Sequence, residues 1–220
     1  MPFDWNTFLP QLWEESIATL IMVVVSLLFS VLIGFPLGVV LVITRPGHIV
    51  ENKGIFQILN AIINVLRSVP FIILLVAIIP FTRMITGTSI GTAAAIVPLI
   101  CYAAPYVARL IENSLLEVDD GVLEAAKAMG ATSWQIIWRF LLPEALGSLV
   151  LAITIATIGL IGASAMAGAV GGGGIGDLAI TYGYNQFQVE VMIITVLLLV
   201  VLVQGVQSLG NYLSQKIRRK

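Results

Sequence analysis

Asp119-Asp120-Gly121-Val122-Leu123-Glu124-Ala125-Ala126-Lys127-Ala128-Met129-Gly130, with the amphipathic piece that follows it to Leu142-Pro143-Glu144, is the longest stretch of the chain that does not read as membrane. Asp119 or Asp120 can cap a helix N-terminus, and Gly130 stands where that helix would end. Thr132 with Gln135 three residues later spells a capping box for a second helix. The reading is therefore two short helices and a tight corner. The second helix carries Trp134, Ile137, Trp138 and Leu141 at helical spacing, and Pro143 is expected to stop or kink it.

Around this block the chain is apolar. Of 220 residues, 59% are hydrophobic and 10% charged, and the mean hydropathy is +1.03. Average globular chains carry about 25% charge, so the composition is that of a multispan membrane protein. The net charge of −1 points to neither nucleic acid nor an acidic ligand. A single cysteine, Cys101, lies in an apolar run, which excludes a disulfide framework or thiolate metal site and reads as a small buried hydrophobe. No metal ligand set is spelled. His48, the one histidine, sits in a Pro-Gly loop and reads as solvated. The N-terminal residues hold Asp4, Glu14 and Glu15 without Lys or Arg, and the apolar run after Ile17 outlasts a signal peptide's; it reads as a retained first span.

A membrane helix needs about 20 mostly apolar residues. Five segments meet this: roughly 17–43, 58–82, 89–111, 144–169 and 189–210, with 112–143 as the intervening loop. The chain is thus expected to be all-α, one membrane domain over 1–220. Span two is the least regular, since Asn60, Asn64, Arg67 and Ser68 precede Pro70; an interfacial helix followed by a shorter span also fits. Arg67 should reach the cytoplasmic interface or face a wet cavity. Pro36, Pro80, Pro98 and Pro105 are expected to interrupt other spans. Lys and Arg collect on the cytoplasmic side: Arg45 and Lys53, then Arg109, Lys127 and Arg139, then Lys216, Arg218, Arg219 and Lys220, against only Arg83 on the opposite side. This puts the N-terminus outside, and the C-terminus and Glu124 loop inside.

The fourth span turns to small residues. Ile155, Gly159, Gly162, Met166 and Ala169 share one helical face, with Thr154, Thr157 and Ser164 adding hydroxyls beside it. A groove of glycines under one flexible thioether suits an apolar amino-acid side chain; a helix–helix seam between subunits explains the same stripe. Gly171-x-Gly173-x-x-Gly176 spells a dinucleotide pattern and the start of a P-loop. No strand precedes it, and Asp177 stands where a P-loop lysine would be, so no nucleotide site is expected in this chain.

The order Glu124, Ala125, Ala126, Gly130, Leu142, Pro143 resembles the cytoplasmic loop that ATP-binding-cassette importer permeases dock into a separate ATPase; Phe140 replaces the usual isoleucine. The resemblance to the permease subunit of methionine-type importers extends over nearly the whole chain, through 67–82, Glu124 to Gly130, and Ser164 to Asp177. It implies the type I importer permease fold: five membrane helices per subunit with a cytoplasmic coupling hairpin. It implies a homodimer in the bacterial cytoplasmic membrane, ATPase subunits that bind ATP and magnesium, an extracellular or periplasmic methionine-binding protein or lipoprotein, and no cofactor in this chain. Glu124, Ala125, Ala126, Gly130, Leu142 and Pro143 would couple to the ATPase. Met166, Gly159, Gly162 and Ser164 are the pathway candidates. A permease for another small amino acid or organic substrate, an ion-driven carrier and a membrane scaffold are the competing readings. A carrier would place ionisable groups at the midplane and show inverted repeats, and neither is visible.

Overall fold

The computed structural model describes residues 5–218. In lipid every backbone N–H and C=O must be satisfied within its own segment, and the described residues are helical with no strand. The helices are α1 (Trp5–Thr44), α2 (Lys53–Ser68), α3 (Phe71–Ala77), α4 (Ile79–Thr86), α5 (Thr92–Leu116), α6 (Asp120–Ala128), α7 (Ser133–Gln135), α8 (Leu142–Ala167), α9 (Ile175–Leu178) and α10 (Val189–Arg218). Wider π-helical turns fill Ile136–Leu141 and Ala179–Asn185, while beyond α8 the backbone leaves helical geometry at Val170 and Gly171, the latter at φ +87°.

Four helical stretches, Trp5–Thr44, Thr92–Leu116, Ser133–Gly172 and Val189–Arg218, are long and apolar enough to cross a membrane; the broken pair Lys53–Ser68 and Phe71–Ala77 makes a fifth if taken as one span. Span two is accordingly broken before Pro70, in line with a first helix followed by a shorter apolar one. Pro70 supplies no N–H and forces Val69 out of the helical region, so α2 ends at Ser68. The other prolines behave differently from expectation. Pro36, Pro98 and Pro105 lie inside α1 and α5, which run through them unbroken, and only Pro80 stands at a break, in the first turn of α4. Nor does Pro143 end its helix. Leu142 N–H bonds to Ile137 O, five residues back, and this wider turn carries the backbone past Pro143, which has no N–H to donate.

By contacts the chain forms two units. One comprises Met1–Phe29, Val69–Ala103 and Thr157–Val206. Its core joins Met22 and Val23 of α1, Phe71 of α3, Leu99 of α5 and Leu160, Ile161 and Ala167 of α8, with Leu199, Leu202 and Val203 of α10 against them. The glycine run belongs here. A Cβ on Gly176 would sit 2.3 Å from Ala165 O, and one on Gly168 2.4 Å from Asp177 N, so the chain doubles back at backbone contact. Glu15 accepts the Gly174 N–H and Thr19 Oγ1 accepts the Ile175 N–H at 2.8 Å, which tie the turn to α1.

The second unit comprises Ser30–Ser68, Ala104–Ala156 and Gln207–Lys220. Gly34 and Gly38 let α1 meet α5 closely: a Cβ on either would lie 2.6 Å from Ala104 O or Ala108 O. Leu41, Ile63 and Ala108 are buried together, flanked by Leu37, Phe56 and Leu59. Ser214 donates to Gly147 O at 2.8 Å, joining the end of α10 to α8. Outward, large apolar side chains such as Leu20, Val24, Leu32, Val200, Val201 and Leu209 are exposed on both long helices, as a lipid-facing surface requires and a water-facing one does not tolerate.

Candidate functional site

The hairpin folds as its sequence spells. Asp119 Oδ1 accepts the Gly121 N–H at 2.8 Å at the start of α6. At the other end Gly130 N–H bonds to Lys127 O at 2.9 Å and Ala131 N–H to Ala126 O at 3.1 Å, with Gly130 at φ +78°; this pair of bonds is the glycine-terminated Schellman end. The capping box is complete, Gln135 N–H to Thr132 Oγ1 at 3.3 Å and Thr132 N–H to Gln135 Oε1 at 2.9 Å. Asp120 in the first turn and Lys127 in the last complement the helix dipole.

Leu123 and Ala126 of α6 and Ile136, Ile137 and Leu141 of the second helix point inward and are buried. This sorts the six coupling candidates. Glu124, Ala125, Gly130 and Pro143 are exposed, whereas Ala126 and Leu142 are buried and hold the hairpin from inside. Both buried positions fall on the inward stripe of their helices, so neither is free to meet a partner. Between the exposed ones stand three side chains that the motif does not include: Met129 is 69% exposed, Trp134 67% and Trp138 51%. The two indoles, four residues apart, lie with centroids 5.3 Å from each other. Exposed tryptophans on an otherwise polar hairpin mark an interaction surface. Their i, i+4 spacing was legible; their outward direction depended on which face the core took.

Beside α6 lies a polar cleft of about 170 Å³ lined by Gly47, His48, Ile49, Asp120, Leu123, Glu124 and Lys127. His48 is half-buried rather than fully solvated, and its Nδ1 has no hydrogen-bond partner among the described residues. Burial holds its pKa below the ordinary 6.5; Asp120 pulls it back up, and Lys127 and Arg45 push it further down. The imidazole is therefore neutral at pH 7.

The pathway candidates lie on α8 in the first unit. Met166 is 54% exposed, Gly162 is exposed with nothing within 4 Å of where its Cβ would be, and Gly159 is half-buried. Ser164 departs from them. It is buried and donates to Ile161 O at 2.8 Å, the usual way a helical hydroxyl is satisfied in apolar surroundings. Cys101 is half-buried, more open than its apolar neighbours suggest. Arg67 is exposed near the end of α2.

One buried ionisable group escaped the hydropathy reading. Glu112, in the last turns of α5, is 1% exposed, with Arg109 Nη1 2.5 Å from one carboxylate oxygen and Arg45 Nη1 3.7 Å from the other. Two charges on α5 and one just past the end of α1 gave little local signal. Only an Arg at i−3 from the Glu hinted at a pair.

Against known proteins, residues 34–219 match the model of the family described as binding-protein-dependent transport system inner membrane component. The chain belongs to that family. A probable D-methionine transport system permease protein MetI of Pasteurella multocida is 48% identical over 94% of this chain and 97% of its own length. The D-methionine transport system permease protein MetI of Escherichia coli is 56% identical over 71% of this chain and 70% of its own. Among solved structures, the MetNI methionine ABC transporter in inward-facing conformations contains a chain that superposes with a TM-score of 0.94 at 48% identity, covering 98% of this chain and 99% of that one. The fold is thus the importer-permease fold. This family member is an inner-membrane component of a bacterial transporter.

Proposed function

We propose that the chain is the permease subunit of an ATP-binding-cassette importer that carries methionine or a close derivative across the bacterial cytoplasmic membrane. Two copies form the pathway, and two ATPase subunits, which hold ATP and magnesium, dock on the hairpins. An extracellular or periplasmic binding protein or lipoprotein delivers the amino acid. The N-terminus lies outside and the C-terminus inside, as the Lys and Arg distribution favours. The observation that carries this reading is the hairpin: a doubly capped helical corner that exposes Glu124, Ala125, Met129, Trp134 and Trp138, in a chain about half identical to methionine permeases.

The mechanism is alternating access. Closure of the ATPase pair displaces both hairpins, and the helices attached to them open the pathway outward; release of the products reverses it. Such coupling requires that nucleotide bias the two states through contacts that differ between them. Glu124 offers a charge and Ala125 a close approach for the ATPase cleft, the tryptophans supply apolar area, and Gly130 sets the corner. Hydrolysis is the partner's task. In this chain Gly168, Gly172 and Gly176 of the glycine run serve close backbone contact. On α8, Met166 and Gly162 are exposed and Gly159 is half-buried on the same helical face, a surface of small residues and one thioether that an unbranched thioether side chain can meet without demanding a hydrogen bond.

Reconstitution tests this directly. The complex purified with its ATPase and delivery protein should import labelled methionine only with ATP in the compartment that the hairpins face. Uptake driven by an ion gradient without ATP, or failure of the ATPase to co-purify, would overturn it.

A further inference from the structure

Five polar side chains meet in the second unit, away from the hairpin itself. Arg109 reaches both ways from α5. Its Nη1 donates to Glu112 Oε2 at 2.5 Å, and its Nη2 donates to Asn60 Oδ1 and Asn64 Oδ1 at 2.7 Å each. Asn60 and Asn64 stand four residues apart on α2, so they share a face, and Asn64 Nδ2 donates to Asn60 Oδ1 at 3.4 Å. Glu112 is shared with Arg45, just past the end of α1. The planar, forked guanidinium holds the carboxylate with one arm and the two amide oxygens with the other in a fixed geometry.

Apolar packing already keeps α2 in place through Ile63, Phe56 and Leu59. Such contacts are non-directional, and a helix seated by them alone can roll or slide. Charge-assisted hydrogen bonds fix a register instead. A buried carboxylate is also a costly way to gain stability, since apolar side chains of similar size often do as well; ionic groups kept in such places are best attested as devices of register. From Arg109, α5 continues about two turns to Leu116, and the chain enters α6 at Asp120.

We propose that Arg109, held by Glu112, is a positioning residue that makes α2 move with α5 and the hairpin as a single body during the transport cycle. The proposal rests on the coupling role argued above. Its test uses the assembled complex with Cys101→Ser as background and spin labels at Ile58→Cys on α2 and Ala128→Cys at the end of α6. In this parent the interlabel distance should be the same with and without ATP. In Asn60→Ala/Asn64→Ala, which leaves the apolar packing intact, the distance distribution should broaden and shift with nucleotide. ATP hydrolysed per substrate imported should rise about fivefold, the low end of usual coupling strengths. Asn60→Asp over Asn64→Ala restores an acceptor and should return both readouts toward the parent. A parent distance that changes with nucleotide overturns the proposal, and so does a double variant indistinguishable from the parent. Should the double variant fail to assemble, Asn64→Ala alone is read in the same way. A parent that imports no methionine would end the substrate reading, while the label distances still decide this one.

Discussion

At the scale of single residues, burial decided what sequence could only enumerate. Glu112 closes the polar end of α5 because two guanidiniums surround it; Glu112→Ala leaves Arg109 without its buried counter-charge and should cost about 3–5 kcal/mol. His48 shows the same dependence on surroundings. Its pKa is lowered by burial, so the unfolded chain takes up the proton first as pH falls, and the stability tied to neutral His48 is present above about 6.5 and lost as pH drops through the lowered native value. Thermal unfolding of the complex between pH 7.5 and 5 should therefore show a falling midpoint that His48→Gln makes shallower; equal slopes would mean that other groups set the acid limit. Met166 is the residue where chemistry and volume can be separated. Met166→Leu keeps the volume, a change usually under about 1.5 kcal/mol, so the dimer and basal ATPase activity should persist while relative transport rates of methionine and its longer or branched analogues change. Met166→Ala removes volume and serves as the packing comparison. If both variants transport every analogue as the parent does, the side chain is packing alone.

At the scale of elements, local signals gave the hairpin almost entirely. Each cap bonds to a neighbour within five residues, so Asp119, Gly130, Thr132 and Gln135 could be assigned without knowing the fold. At Pro143 the helix does not stop: the wide turn ending at Leu142 carries it past the proline, and the hairpin runs on into the membrane helix α8. Glu124→Ala with Gly130→Pro tests the hairpin as an element. Gly130 sits at φ +78°, and proline cannot adopt it, so the corner must rearrange while the membrane spans are untouched. Membrane insertion should match the parent, and co-purified ATPase and ATP-dependent uptake should fall severalfold, on the order of the 1–3 kcal/mol of a typical coupling. Uptake and co-purification at parent levels would remove the hairpin from the coupling path.

At the scale of the whole molecule, charge and apolar length predict the arrangement in the bilayer. On the Cys101→Ser background, a cysteine replacing Asp177 should react with an impermeant reagent from outside, and one replacing Lys127 only after permeabilisation; the reverse pattern would put the hairpin on the wrong side for an ATPase. Composition, span length and caps are properties of the chain read a few residues at a time, and these by themselves determined that it is an all-helical membrane protein with a doubly capped hairpin between spans, while the Glu124 to Pro143 spacing carried the resemblance to importer permeases. Tertiary structure alone decided which faces look inward. It turned Ala126, Leu142 and Ser164 into the core, left Met129, Trp134 and Trp138 outside, and gathered Arg45, Asn60, Asn64, Arg109 and Glu112 from segments up to 67 residues apart. It also gave Gly34, Gly38, Gly168 and Gly176 their reason, since a missing side chain matters only where another backbone arrives. Helical periodicity fixes which residues share a face but not which way the face points, because the inward direction is set by distant segments that pack against it.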